Sequence, residues 1–206
     1  QATSWAARNV TTGAGKGVPL SHRNLVANAL QLAHAMSLRS DDIYLHSSPM
    51  FHSTDLKGTA LSMIGAGHVF LSEPSPTNVL EAISRHGVTI ASFVPTVLRR
   101  ILYAPELGRY DLARLRLITY GTSPMSVELL RRAMQAFPSV GMHQGYGLTE
   151  TSPIIAVLDE NDHRRGLAGR EDLLRAAGRP LPGLDIRIMD DTGRPVSQGA
   201  TGEIVV

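Results

Sequence analysis

Apolar residues recur along this chain in two spacings that alternate. From Ser21 to about Leu38 they fall at Leu25, Val26, Ala29, Leu32, Ala33 and Met36, one face of a helix that Ser21 is placed to cap. Ile43–Ser48 (IYLHSS) and His68–Leu71 (HVFL) read as strands. Ser75-Pro76 is a cap followed by proline at the first helical position, and that helix runs to Gly87. Val88–Val94 (VTIASFV) is mostly apolar, as in a strand covered on both faces. Pro95 opens a helix to about Tyr103, and Leu115–Gly121 gives a further strand. Ser126–Phe137 is again helical, and GMHQGYG from Gly141 is a strand that ends in a loop. This alternation predicts an α/β fold, with a mixed, largely parallel sheet flanked by helices.

The style changes near Gly178. LDIRIMD and GEIVV alternate with period two around the turn signal DDTGRP, which predicts the start of an antiparallel β unit. The division expected is a core over residues 1–177 and the beginning of a β-barrel-like subdomain over 178–206. The polar, arginine-rich stretch from Asp159 to Ala177 reads as a surface loop with a short helix. GEIVV stands at the very end of the chain, and a strand needs a neighbour, so the chain is expected to be a fragment of a longer protein.

Composition narrows the class. Of the 206 residues, 43% are hydrophobic, enough for a core, and 18% are charged, too few for a disordered chain. The net charge of +2 comes from scattered arginines, so no nucleic acid partner is expected. Cysteine is absent, which excludes disulfides and thiolate zinc sites. No apolar run approaches the ~20 residues of a membrane span, and the first residues have no signal core, so a cytoplasmic protein is expected.

Two stretches carry candidate chemistry. Thr11-Thr12-Gly13-Ala14-Gly15-Lys16-Gly17 combines hydroxyls, glycines and a lysine, as a phosphate cradle would. It fails the common G-x-x-x-x-G-K-[ST] pattern: Gly17 follows Lys16, and Val10 stands where the first glycine belongs. By itself it is as well read as a glycine-rich turn. Gln144–Pro153 (QGYGLTETSP) follows a strand and offers an aromatic ring, flexible backbone, a hydroxyl and a carboxylate. A ring can stack on a base, a hydroxyl can bond a phosphoryl oxygen, and a carboxylate suits Mg²⁺. Alone, Tyr146 could equally be core and Glu150 a solvated charge.

Together these stretches resemble the adenylate-forming (AMP-binding) superfamily, which includes acyl-CoA synthetases, aryl-CoA ligases, luciferases and adenylation domains. Five segments occur in the family's order: Thr11–Val18 (phosphate loop), Pro49–Ser53 (PMFHS, acyl pocket), Tyr120–Ser126 (adenine wall), Tyr146-Gly147-Leu148-Thr149-Glu150, and GRPLPGLDIRIMDDTGRPVSQGATGEIVV. The resemblance implies that Thr11, Thr12, Gly13 and Lys16 hold the β- and γ-phosphates of ATP. Thr149 would bind the α-phosphate and Glu150 the Mg²⁺. Tyr146 and Gly147 would meet the adenine, with the backbone of Gly121, Thr122 and Ser123 on its other side. His52 would flank a fatty or other carboxylic acid, because amino-acid-activating members commonly have Asp there; Asp55 stands where the family often has Gly. The implied reaction makes an acyl-adenylate and passes the acyl group to CoA. Alternatives are an adenylation domain that loads a carrier protein, or a non-catalytic homologue. The chain departs from the family at Arg8-Asn9-Val10, where Thr-Ser-Gly is usual, and at Gly15, where proline is usual. The remaining histidines (His22, His34, His46, His68, His86, His143, His163) show no metal-ligand spacing and read as structural or surface residues. The family's ribose-binding Asp and catalytic Lys are expected outside this chain, so the piece by itself is expected to be inactive.

Overall fold

The computed structural model describes residues 5–9, 16–48 and 56–206, with the backbone alone for 5–9 and for residue 16. Its main feature is a seven-stranded sheet. Strands β3 (Ile43–His46), β4 (Gly67–Phe70), β5 (Ile90–Phe93), β6 (Leu117–Gly121), β7 (Gly141–Tyr146), β8 (Ala156–Leu158) and β9 (Arg179–Pro180) are arranged in the order β4-β3-β5-β6-β7-β8-β9. The first five are parallel, β8 pairs antiparallel with β7, and β9 pairs antiparallel with β8.

The parallel order follows from the connections. Helices α3 (Pro76–His86), α4 (Pro95–Leu102) and α5 (Val127–Ala136) each link one parallel strand to the next. Their ends are set locally. Ser75 and Ser126 accept hydrogen bonds from Asn78 and Leu129, and Gly87 closes α3 at φ 62°. Alternation along the strands then sorts the core into two layers. Ala91, Phe93, Ile118 and Tyr120 join Leu80, Leu98, Ile101 and Leu130 of these helices on one face. Ile90 and Leu117 point the other way, towards Ala29 and Leu32 of α1 (His22–Ala35) and Ala60 and Leu61 of α2 (Lys57–Met63). Each such fully buried aliphatic side chain contributes about 1.5–3 kcal/mol.

Several expectations need correction. Val26 does not face the core: it is 42% exposed, while Asn28 is buried and donates from Nδ2 to the Ile154 carbonyl at 2.6 Å. The polar side chain of Asn28 is turned inward at that point because the distant backbone just before β8 supplies an acceptor. The stretch from Asp159 to Ala177 holds the short helix expected there, α6 (Glu160–Leu167), capped by Asp159, but the remainder is no plain surface loop, since it includes a 3₁₀ turn over Glu171–Arg175. Asp162, His163 and Leu174 are buried there, with Asp162 paired to Arg165 and Arg179. A segment rich in arginine is buried through its carboxylate and imidazole, which hydropathy does not register.

Two small antiparallel ribbons complete the described fold. β1 (Trp5–Asn9) pairs with β2 (Lys16–Leu20), so Arg8 and Asn9 are strand residues opposite Gly17 and Lys16. β10 (Arg187–Met189) pairs with β11 (Glu203–Val205) across the turn that the period-two pattern marks.

Candidate active site

The parallel strands β5, β6 and β7 end side by side, and the chain leaves each end through a turn. In open α/β sheets ligands bind outside the carboxyl ends of the strands. Here a cavity of about 530 Å³ lies at that edge. Its walls are Gly121–Met125 after β6, Gln144–Leu148 at the end of β7, and Leu174–Ala177 after α6. The sequence-expected residues Gly121, Thr122, Ser123, Tyr146 and Gly147 are therefore brought together.

The backbone explains why glycines stand here. A Cβ on Gly121 would meet the Gly145 carbonyl oxygen at 2.6 Å, and one on Gly147 would meet that of Pro153 at 1.9 Å. Side chains are excluded, and the adjoining strand ends lie close enough to leave a slot between them. Thr122 adopts φ 66°, a left-handed conformation that turns the chain sharply away from β6. Behind the slot, Tyr120 hydroxyl lies 2.7 Å from His163 Nε2, and His163 Nδ1 lies 2.6 Å from the Asp159 carbonyl oxygen. The carbonyl can only accept, so Nδ1 carries the proton and Nε2 accepts from Tyr120. Burial pushes the Tyr120 phenol up and the His163 imidazole down, which keeps both neutral.

Thr149 and Glu150 follow on a 3₁₀ turn over Thr149–Thr151, held by Thr151, whose Oγ1 accepts from the Leu148 amide at 2.9 Å. Glu150 is exposed and is the acidic residue of that turn. Strand β2, which begins at Lys16, packs against the same turn. The rest of the glycine-rich loop, with Thr11, Thr12 and Gly13, lies outside the described residues, as does His52.

Among the described residues no three His, Cys, Asp or Glu side chains gather as a metal cage. A single exposed carboxylate nevertheless fits Mg²⁺, which keeps waters and takes one or two carboxylates together with phosphate oxygens. Two contributors escape sequence reasoning. Leu174–Ala177 wall the cavity, and Gln144 reaches towards the Ala176 carbonyl at 3.5 Å. Lys57 is buried beneath the strand ends with its ammonium on Ser92 and Thr119. Neither stretch carries a local motif.

The sequence profile described as "AMP-binding enzyme" matches residues 11–206. The chain belongs to that family. Within this AMP-binding family it is 33% identical over 205 residues to 4-coumarate–CoA ligase 5 of Oryza sativa subsp. japonica, covering 95% of this chain and 37% of that protein. It thus spans little more than a third of the curated relatives it matches. Among solved structures it resembles the amide bond synthetase McbA from Marinactinospora thermotolerans, with TM-score 0.84 and 31% identity over 95% of this chain and 38% of the other. It also resembles the O-succinylbenzoate coenzyme A synthetase MenE from Bacillus subtilis in complex with ATP and magnesium ion, with TM-score 0.81 and 29% identity over 98% and 39%. The adenylate-forming fold read from the motifs is therefore the fold of this AMP-binding chain. Its described helices include none long and apolar enough to cross a membrane.

Proposed function

We propose that the protein carrying this chain is an ATP-dependent acid–thiol ligase. The single observation that carries this reading is the shared cavity of Gly121–Ser123 and Tyr146–Gly147 at the strand ends, with Thr149 and Glu150 on the next turn. A planar base fits a slot walled by backbone and one aromatic ring, and the turn beyond it offers a hydroxyl and a carboxylate to phosphates. In the first step an acid's carboxylate oxygen attacks the α-phosphorus of ATP, the bond to the bridging oxygen breaks, and pyrophosphate leaves. In the second the CoA sulfur attacks the acyl carbon, the thiol proton goes to solvent, and AMP departs.

The chain's own residues bind and orient. Thr149 holds the α-phosphate, and Tyr146 with the Gly121–Ser123 backbone fixes the base. Thr11, Thr12, Gly13 and Lys16 take the outer phosphates, and the packing of β2 against the Thr149–Thr151 turn supports that assignment. Magnesium, when bound, neutralises phosphate charge, and Glu150 is the side chain that would hold it. His52 flanks the acid, which we take to be a fatty or other acyl acid. The names of the relatives favour an aryl acid as the second reading. Residues 178–206 begin a separate β subdomain, and the 206-residue chain alone is not expected to turn over.

ATP–pyrophosphate exchange by the whole protein tests the site. Glu150→Gln is expected to lower it about 10²-fold, the scale of losing one preorganised electrostatic group. The melting temperature should hardly move, because Glu150 is exposed. Unchanged exchange would remove Glu150 from the site.

A further inference from the structure

The third wall of the nucleotide cavity, Leu174–Ala177, is not part of a strand. It runs between α6 and β9, and α6 holds it at both ends. Leu174 is seated on Gly166 of α6 so closely that a Cβ there would meet the Leu174 Cγ at 2.5 Å. Just beyond the wall, Arg179 of β9 reaches back to Asp162 of α6 at 2.9 Å. The width of the cavity therefore depends on where α6 lies relative to β6, the strand that leads into the Gly121–Ser123 wall.

A buried side-chain pair joins those two elements. Tyr120, the residue before Gly121, is 2% exposed, and His163 of α6 is fully buried. The Tyr120 hydroxyl donates to His163 Nε2 at 2.7 Å, and the rings meet edge to face with centroids 5.6 Å apart. The imidazole is held in turn, because its Nδ1 donates to the Asp159 carbonyl at the start of α6. Burying a phenol and an imidazole costs hydration that an apolar pair would not lose. An apolar pair would fill the space but could slide. A hydrogen bond between two neutral groups away from water holds one distance and one direction. That matters for a flat ligand, since a slot about 1 Å too wide loses much of its van der Waals contact with a base.

We infer that Tyr120 and His163 are positioning residues for the nucleotide: their hydrogen bond sets the gap between the Gly121–Ser123 and Leu174–Ala177 walls. This rests on the adenylating reading above. Neither side chain is given a role in the reaction itself.

Calorimetry with AMP on the whole protein tests the inference. Tyr120→Phe and His163→Leu are each expected to weaken AMP binding about tenfold, with the number of sites per chain unchanged. The double variant should bind no more weakly than either single one, because a shared hydrogen bond can be lost only once. His163→Gln keeps an acceptor for the phenol and is expected to recover most of the affinity. Unchanged affinity in Tyr120→Phe and His163→Leu overturns the inference and leaves the ligase reading standing. So does a fall in the number of sites with the affinity of the remainder intact, which is what a merely structural pair would give. A His163→Gln variant that binds no better than His163→Leu overturns it as well. If the variants fail to fold, hydrogen exchange in the wild type decides. AMP is expected to slow amide exchange across α6 and Leu174–Ala177 as well as at Gly121–Ser123, and protection confined to Gly121–Ser123 overturns the inference. A whole protein that binds no AMP defeats the ligase reading, and this inference with it.

Discussion

The most exposed risk in this fold sits at one residue. Asp42 is 2% exposed and lies where β3 begins, beneath the edge opposite the nucleotide cavity. Burial alone would raise its carboxyl, yet hydrogen bonds from Arg116 and Thr89 and from the Arg39 amide win, and the group stays below the usual carboxylate range. Arg116 Nε donates to Oδ1 at 2.7 Å and Thr89 Oγ1 donates to the same oxygen at 2.7 Å. These bonds tie β3 to the entries of β5 and β6. Asp42→Ala would take the carboxylate from the guanidinium, leaving it the Ser37 carbonyl at 3.0 Å, and would leave the Thr89 hydroxyl without its main acceptor. A loss of about 3 kcal/mol is expected, the low end for breaking a buried ion pair, because the Arg116 side chain keeps 26% of its surface in water. Urea unfolding measures it, and a loss under about 1 kcal/mol would show that water replaces the pair. Because the folded carboxyl is depressed, its contribution is complete above its ordinary value of 3.8 and is lost as pH falls through the lower folded value.

At the scale of elements, α6 docked on β7 carries a pH dependence closer to neutrality than that of Asp42. His143 of β7 is held down to about 4 from 6.5, chiefly by burial, and its Nδ1 has no hydrogen-bond partner among the described residues. His163 of α6 is lowered for the same reason, offset in part by the Asp159 carbonyl. Both imidazoles are neutral when folded, so between pH 6.5 and about 4 the unfolded chain binds more protons. Stability is full above 6.5 and falls with pH across that window, by about 1.4 kcal/mol per unit for His143 alone. Urea midpoints at pH 7.5 and 5 are expected to differ accordingly, and His143→Gln should flatten the difference; equal midpoints in the wild type would place both rings in contact with water. The same elements show what the sequence could reveal. Helices with a serine cap and an apolar stripe, such as α3 and α5, are legible because capping and periodicity are local. The strand that ends in Tyr146 is legible for the same reason, whereas Gly121–Ser123 and the Thr149-Glu150 turn are marked as a candidate site only by the family resemblance. Helix α2 is not, because it is one short run that opens on a buried lysine. Nor is β1, whose residues WAARN have no alternation, or β8, which is three residues long and is defined by its partner β7. Burial of Asp162 and His163 accompanies tertiary partners at Arg179 and Tyr120, which no local pattern announces.

For the whole molecule, the question is how much of a nucleotide this chain can hold by itself. The walls at Gly121–Met125, Gln144–Leu148 and Leu174–Ala177 all lie in the described fold, so the slot we propose for the base is present in this chain. By the proposed assignment the phosphates depend on the loop that leads into Lys16, and there the sequence has Val10 where the family resemblance leads one to expect glycine, which allows left-handed backbone. By the family resemblance the ribose hydroxyls and the reacting groups are met by an Asp and a Lys outside these residues. Each missing bond to a charged group removes about 1.5–3 kcal/mol, and 1.4 kcal/mol is tenfold in affinity. Two such losses correspond to a weakening of roughly 10²- to 10⁴-fold relative to the whole protein. Calorimetry with ATP on the 206-residue chain and on the whole protein is expected to return that gap, with acyl-adenylate formed by the whole protein only. Micromolar affinity in the chain alone, or any adenylate made by it, would mean that the cavity at the ends of β6 and β7 is already a complete site.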